Sequence, residues 1–242
     1  MITLHQQFLR AIRWNALEKL LYNPLYFLHY TVLFKVTDTA LYGLAGAIFS
    51  TLYLAGTITS FGFNGALHGF LSELTVNKRN FLTILTINFI PQLIIFLGII
   101  GGLLLGLIPL PNVIESDHFA LIMITGALIT ESTKKKLKSI LQLSFKNRAT
   151  AISEVFSLII YLLLFWGGYL LNIPISLSLL FTPLLISSSI TVAVLLFNVY
   201  HLYQSLPEAL EPKISSQTWK AIGIARVVSF LHETFEHRYT FR

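Results

Sequence analysis

Apolar residues gather in long runs along this chain, separated by short polar breaks, and the pattern predicts six membrane-crossing helices. The expected spans are 20–36, 39–73, 81–108, 119–130, 150–171 and 177–203. The stretch 39–73 is the one around which the others are organised. It exceeds the roughly 20 apolar residues that cross a bilayer. Yet Gly43, Gly46, Ser50, Thr57, Ser60, Asn64 and His68 recur at helical steps that place them on one side. Two readings stay open for this stripe. Small residues let helices approach closely; alternatively, Asn64 and His68 face a water-filled path used by a substrate.

The flanking segments follow the same logic. In residues 1–19, Phe8, Ile12 and Leu17 share a side while Arg10, Arg13 and Lys19 supply charge, which predicts an amphipathic interfacial helix anchored by Trp14. The span 20–36 is interrupted by Asn23, Pro24 and His29, and a lone histidine at that depth is expected to bond a neighbouring helix more often than a substrate. In 81–108, Pro91 permits a bend, and Asn88 and Gln92 lie one turn apart. They face the same interior as the stripe or bond a neighbouring helix. The run 119–130 is short unless its helix continues through Glu131. Lys134, Lys135, Lys136, Lys138, Lys146 and Arg148 then flank Ile140, Leu141, Leu143 and Phe145, an arrangement suited to an amphipathic elbow on an anionic membrane face or to anchoring by positive charge alone. Asn172-Ile173-Pro174 predicts a tight connection into the last span.

The expected fold is therefore an all-α integral membrane protein, with residues 1–19 an interfacial helix, 20–203 one bundle of six transmembrane helices and 204–242 a cytoplasmic tail. Composition narrows the class further. Hydrophobic residues make up 55% of the 242 positions and charged residues 12%, about half the charged share of a soluble domain. The mean hydropathy is +0.72. The formal charge of +6 comes from residues scattered between apolar runs and not from one dense patch, so no nucleic-acid partner is expected. With both termini in the cytoplasm, all of the 17 Lys and Arg residues except Lys35 fall on the cytoplasmic side, which is the positive-inside bias.

Catalytic and metal chemistry find little support. Cysteine is absent, which removes disulfides, thiolate metal sites and cysteine nucleophiles. His232 and His237 flank Glu233 and Glu236, but they are five apart where a zinc-protease helix needs four to put both on one face. No phosphate loop, dinucleotide fingerprint or nucleophile elbow occurs. Neither an enzyme activity, nor a metal, nor a cofactor is expected. Glu154 is the leading ionisable residue for transport work, because a carboxylate at membrane depth costs roughly 2.5–3.5 kcal/mol at a helix centre. Pairing with Arg148 or Lys146 is its structural alternative.

The run from Asp38 to Ile48, with its Tyr42-Gly43 pair, and the run from Ser60 to Leu67, with its Phe61-Gly62 step, resemble the second helix of polysaccharide flippases in the multidrug/oligosaccharidyl-lipid/polysaccharide exporter superfamily. Residues 13–19 (Arg-Trp-Asn-Ala-Leu-Glu-Lys), the elbow ending at Phe145 to Arg148, and Glu154 fit the same likeness, which covers about residues 8–203. The resemblance implies an alternating-access carrier that moves a polyprenyl-pyrophosphate-linked oligosaccharide across the inner membrane. Asn64, His68, Asn88, Gln92, Arg148 and Glu154 are then the substrate-binding candidates. Family members have two six-helix lobes and this chain supplies one, so a homodimer, a partner bringing the second lobe, or a shortened relative that no longer transports are the alternatives. A non-transporting membrane scaffold or accessory subunit is the competing expectation.

Overall fold

The computed structural model describes residues 4–60, 77–105 and 118–208, and every regular element among them is helical. The helices are α1 (Leu4–Val36), α2 (Thr39–Ser60), α3 (Lys78–Leu104), α4 (His118–Leu143), α5 (Asn147–Leu170) and α6 (Leu177–Ser205). Among the described residues, three stretches are long and apolar enough to cross a membrane: Lys78–Gly102, Asn147–Leu170 and Leu177–Ser205. The chain divides into two compact units, one of Met1–Leu52 with Leu110–Asn198, the other of Tyr53–Pro109 with Val199–Arg242.

Two expectations about boundaries change. The interfacial helix of residues 1–19 and the span that follows it are one unbroken helix of 33 residues, about 50 Å long at 1.5 Å per residue. Pro24 removes one backbone donor without ending it. Glu18, near the expected junction, is buried inside the first unit and not spread among solvent-facing charges. The amphipathic elbow is likewise absent as a separate element. α4 continues through Glu131 and carries Lys134 to Lys138 in its last turns, with Lys134 and Lys136 buried.

The turns explain where the helices stop. After α4, the Lys146 N–H bonds the Leu141 carbonyl (2.9 Å) and the Phe145 N–H bonds that of Gln142 (3.0 Å), with Phe145 at φ 55°. This is a Schellman ending built on a residue that pays for its left-handed backbone, since glycine or asparagine is the usual occupant. α5 ends the same way: Ile173 bonds Gly168 (3.1 Å) and Asn172 bonds Tyr169 (3.0 Å), with Asn172 at φ 61°. Here the sequence supplies the suited residue, and the tight connection expected at Asn172 to Pro174 is formed.

In the first unit α1 and α5 lie parallel and in constant register. Asn15 bonds Asn147 and His29 bonds Tyr161, both pairs 132 positions apart. α4 and α6 are also parallel, because Gly126 faces Leu185 and Glu131 meets Ser188 further along both helices. Leu33, Ala45, Ile48, Ala120, Ala127, Phe165, Leu180 and Phe181 form the apolar core between these helices. Large apolar side chains also face outwards, among them Leu20, Phe27 and Leu28 on α1, Leu163 and Leu170 on α5 and Phe197 on α6. Outward apolar surface on this scale needs a partner or a membrane to cover it.

In the second unit the polar break before α3 is a helix cap. The Asn80 N–H bonds Asn77 Oδ1 at 2.9 Å, satisfying one of the first-turn donors. The Phe81 and Tyr203 rings lie 6.3 Å apart, and the Lys78 N–H bonds the Pro207 carbonyl.

Candidate functional site

Three side chains on one face of α4 start the site. Glu131, Lys134 and Lys138 are separated by helical steps of three and four, so they align along one stripe. Lys134 Nζ lies 2.7 Å from Glu131 Oε1 and 3.5 Å from Glu154 Oε2 on α5. Lys138 Nζ lies 2.7 Å from Glu18 Oε1 on α1 and 3.2 Å from Glu154 Oε1. The Ser188 hydroxyl on α6 donates to Glu131 Oε1. Four helices of the first unit thus meet in one chain of charges, with Glu154 bridging both lysines.

Three members of the cluster are closed off from solvent, Glu18 at 4%, Lys134 at 6% and Glu154 at 8% exposed, while Glu131 and Lys138 are half-buried. The Glu131 and Glu154 carboxylates on either side of Lys134 offset the cost of burying its ammonium. Three carboxylates face two ammonium groups, so the cluster by itself leans negative, with Lys135 and Lys136 beside it on α4. Buried pairs of this kind gain little over an apolar core while complete, and cost a great deal when one partner is removed.

The residues expected from the sequence distribute unevenly. Asn64 and His68 lie outside the described residues. Asn88 and Gln92 are buried in α3, one turn apart, in the second unit, while Arg148 and Glu154 belong to the first. Arg148 and Glu154 do not pair with each other. The guanidinium of Arg148 sits 5.6 Å from the Trp14 ring centre, and Glu154 turns instead to Lys134 and Lys138. The expected partners Arg148 and Lys146 are therefore replaced by lysines from within α4, because that helix continues where an elbow was anticipated. Glu18, Glu131 and Ser188 were missed as site residues, although the spacing of Glu131, Lys134 and Lys138 already put them on one face.

His29 bonds its neighbouring helix as expected, with Nε2 3.1 Å from the Tyr161 hydroxyl. The rings of Tyr30, Tyr161, Phe165 and Trp166 meet the imidazole edge to face, at 5.2–5.7 Å between centres. On α2, no described atom lies within 4 Å of a Cβ built at Gly43 or Gly46, and the Ser50 hydroxyl bonds the Gly46 carbonyl of its own helix. The start of the small-residue stripe therefore shows no close helix packing among the described residues. His232 and His237 lie outside them.

Comparison with models of protein families, with curated proteins and with solved structures gives no match for this chain.

Proposed function

We propose that this is a multi-span membrane protein with both termini in the cytoplasm, acting as one helical lobe of a carrier that moves a lipid-linked oligosaccharide across the inner membrane. The observation that carries the reading is the buried ionic cluster joining α1, α4, α5 and α6 beneath an apolar outer surface. Ionisable groups inside membrane helices are costly, and they mark substrate paths or moving parts more often than static packing. Glu154 is the hinge of the cluster, since among the described carboxylates it alone touches both lysines. A carrier that opens and closes needs contacts between helices that can break and re-form, and a carboxylate shared by two ammonium groups provides them.

The test is translocation of a fluorescent polyprenyl-pyrophosphate sugar in vesicles containing the purified protein. Glu154→Gln is expected to abolish translocation while the protein still resists carbonate extraction from the membrane. Unchanged translocation removes Glu154 from the mechanism. A wild-type protein that inserts and moves no lipid-linked sugar overturns the carrier reading. A reporter fused at Arg242 that works only outside the cytoplasm overturns the topology.

One observation favours a second reading, that of a membrane scaffold or accessory subunit. Each of the two cluster lysines already meets two carboxylates, so neither offers a free cation to a pyrophosphate. In that reading the cluster only sets helix register.

A further inference from the structure

Away from the ionic cluster, at the start of α5, Arg10, Arg13, Trp14, Leu17, Phe145, Asn147 and Arg148 line a pocket of about 540 Å³. Among the described residues no carboxylate pairs with any of the three arginines, in contrast to the neutralised lysines nearby. The amino terminus of α5 adds to the positive field, because Lys146 at its cap position makes no side-chain cap bond and the helix is 24 residues long. Arg148 is steadied by its place over the Trp14 ring. Asn147, buried beside the pocket, keeps an amide oxygen with no donor among the described residues.

This pocket does not stand alone. Trp14 and Leu17 also line a second cavity, of about 210 Å³, whose other walls include Leu21, Ala151, Ile152, Val155, Phe156 and Ile159. It follows the seam between the parallel helices α1 and α5. The one acidic residue in its lining, Glu18, is engaged with Lys138. The cationic pocket and the apolar groove thus adjoin, with Trp14 and Leu17 as shared walls.

We infer that this pair of cavities is a binding site for one anionic phospholipid of the bilayer, its phosphate held by Arg10, Arg13 and Arg148 and an acyl chain laid along the α1–α5 groove. Arginine suits a phosphate diester because its planar fork offers paired donors. The groove supplies what a soluble phosphate would not use, and the arginines supply what a neutral lipid would not use. The site rests on the membrane reading above and is independent of whether the protein transports anything.

The experiment measures binding of fluorescent phosphatidylglycerol and of phosphatidylcholine with the same chains to the purified full-length protein in detergent. Wild type is expected to prefer phosphatidylglycerol. Changing Arg10, Arg13 and Arg148 together to Gln is expected to weaken that binding roughly a hundredfold, at the contribution typical of basic residues near an anionic surface. All three are exposed, so the fold is not at stake. Ile152→Trp, which fills the groove and leaves the arginines, is expected to weaken phosphatidylglycerol binding as well. Equal binding of the two lipids, or no change in either variant, overturns the inference. Displacement of the lipid by millimolar inorganic phosphate, with Ile152→Trp silent, makes it a free-phosphate site and also overturns it. Carbonate extraction of the same preparations separates the two failures: release from membranes defeats the membrane reading, whereas retention without lipid preference defeats only this site.

Discussion

The two ends of the α1–α5 pair hold one register by different physics. At one end Glu18 and Glu154 are tied through Lys138, and Asn15, one turn before Glu18, is bonded to Asn147, two turns before Glu154. At the other, His29 is wedged among Tyr161, Phe165 and Trp166 and makes a single hydrogen bond. Asn15 with Asn147 at the first end and His29 with Tyr161 at the second share the 132-residue offset, while Glu18 and Glu154 are 136 positions apart and meet through the lysine. The charged end depends on every partner being present, since a buried ion without its counter-ion faces a large desolvation cost. The aromatic end is held by many contacts, each small, and loses only what is removed. A molecule that has to change shape is better served by the first kind of joint, and one that has to keep its register by the second.

That contrast is open to direct measurement by unfolding the purified protein in detergent. The largest effect is expected for Lys138→Met, which leaves Glu18 without a cation and should cost about 3–5 kcal/mol. Combining it with Glu18→Gln should restore a good part of the loss; a double variant as unstable as the sum of its singles would show that the two residues do not act as a pair. Tyr161→Phe at the aromatic end keeps the ring and leaves the His29 Nε2 without its partner, so a loss of about 1–3 kcal/mol is expected. If Tyr161→Phe proved as costly as Lys138→Met, the distinction between the two joints would fail. The smallest effect is expected for Gly168→Ala beyond the aromatic end. A Cβ there would come within 2.8 Å of Leu179 Cδ1, but a flexible leucine tip can yield and alanine favours helix, so the change should stay below about 1 kcal/mol.

Much of the helical plan was legible from the sequence because it depends on local signals. The polar break at Asn77 to Asn80 became a cap, Asn172 became the left-handed end of α5, and the apolar runs at 150–171 and 177–203 became α5 and α6. The misreadings came where a charge was taken as a mark of the surface. Lys134, Lys136 and Glu18 are buried, and the helices that carry them run on without the expected breaks at residue 19 and at the elbow. Charge patterning along one strand of sequence cannot reveal a counter-ion more than a hundred residues away. Glu18 and Lys138 are 120 positions apart and are neutral to each other only because the helices meet. The partner of Glu154 was misassigned for the same reason, its nearest cations in the chain being Arg148 and Lys146.

By itself the sequence determined that this chain is helical where it is described and that the runs containing Lys78–Gly102, Asn147–Leu170 and Leu177–Ser205 are long and apolar enough to span a bilayer. These follow from composition and from periodicities of a few residues, which act within a single helix. The tertiary structure alone decided that α1 and α5 run side by side in one register, that three glutamates and two lysines share one largely buried cluster, and that Arg10, Arg13 and Arg148 are left facing a pocket. Those features depend on which helices touch, and contact between distant helices is set by the summed packing of whole faces, not by any local pattern.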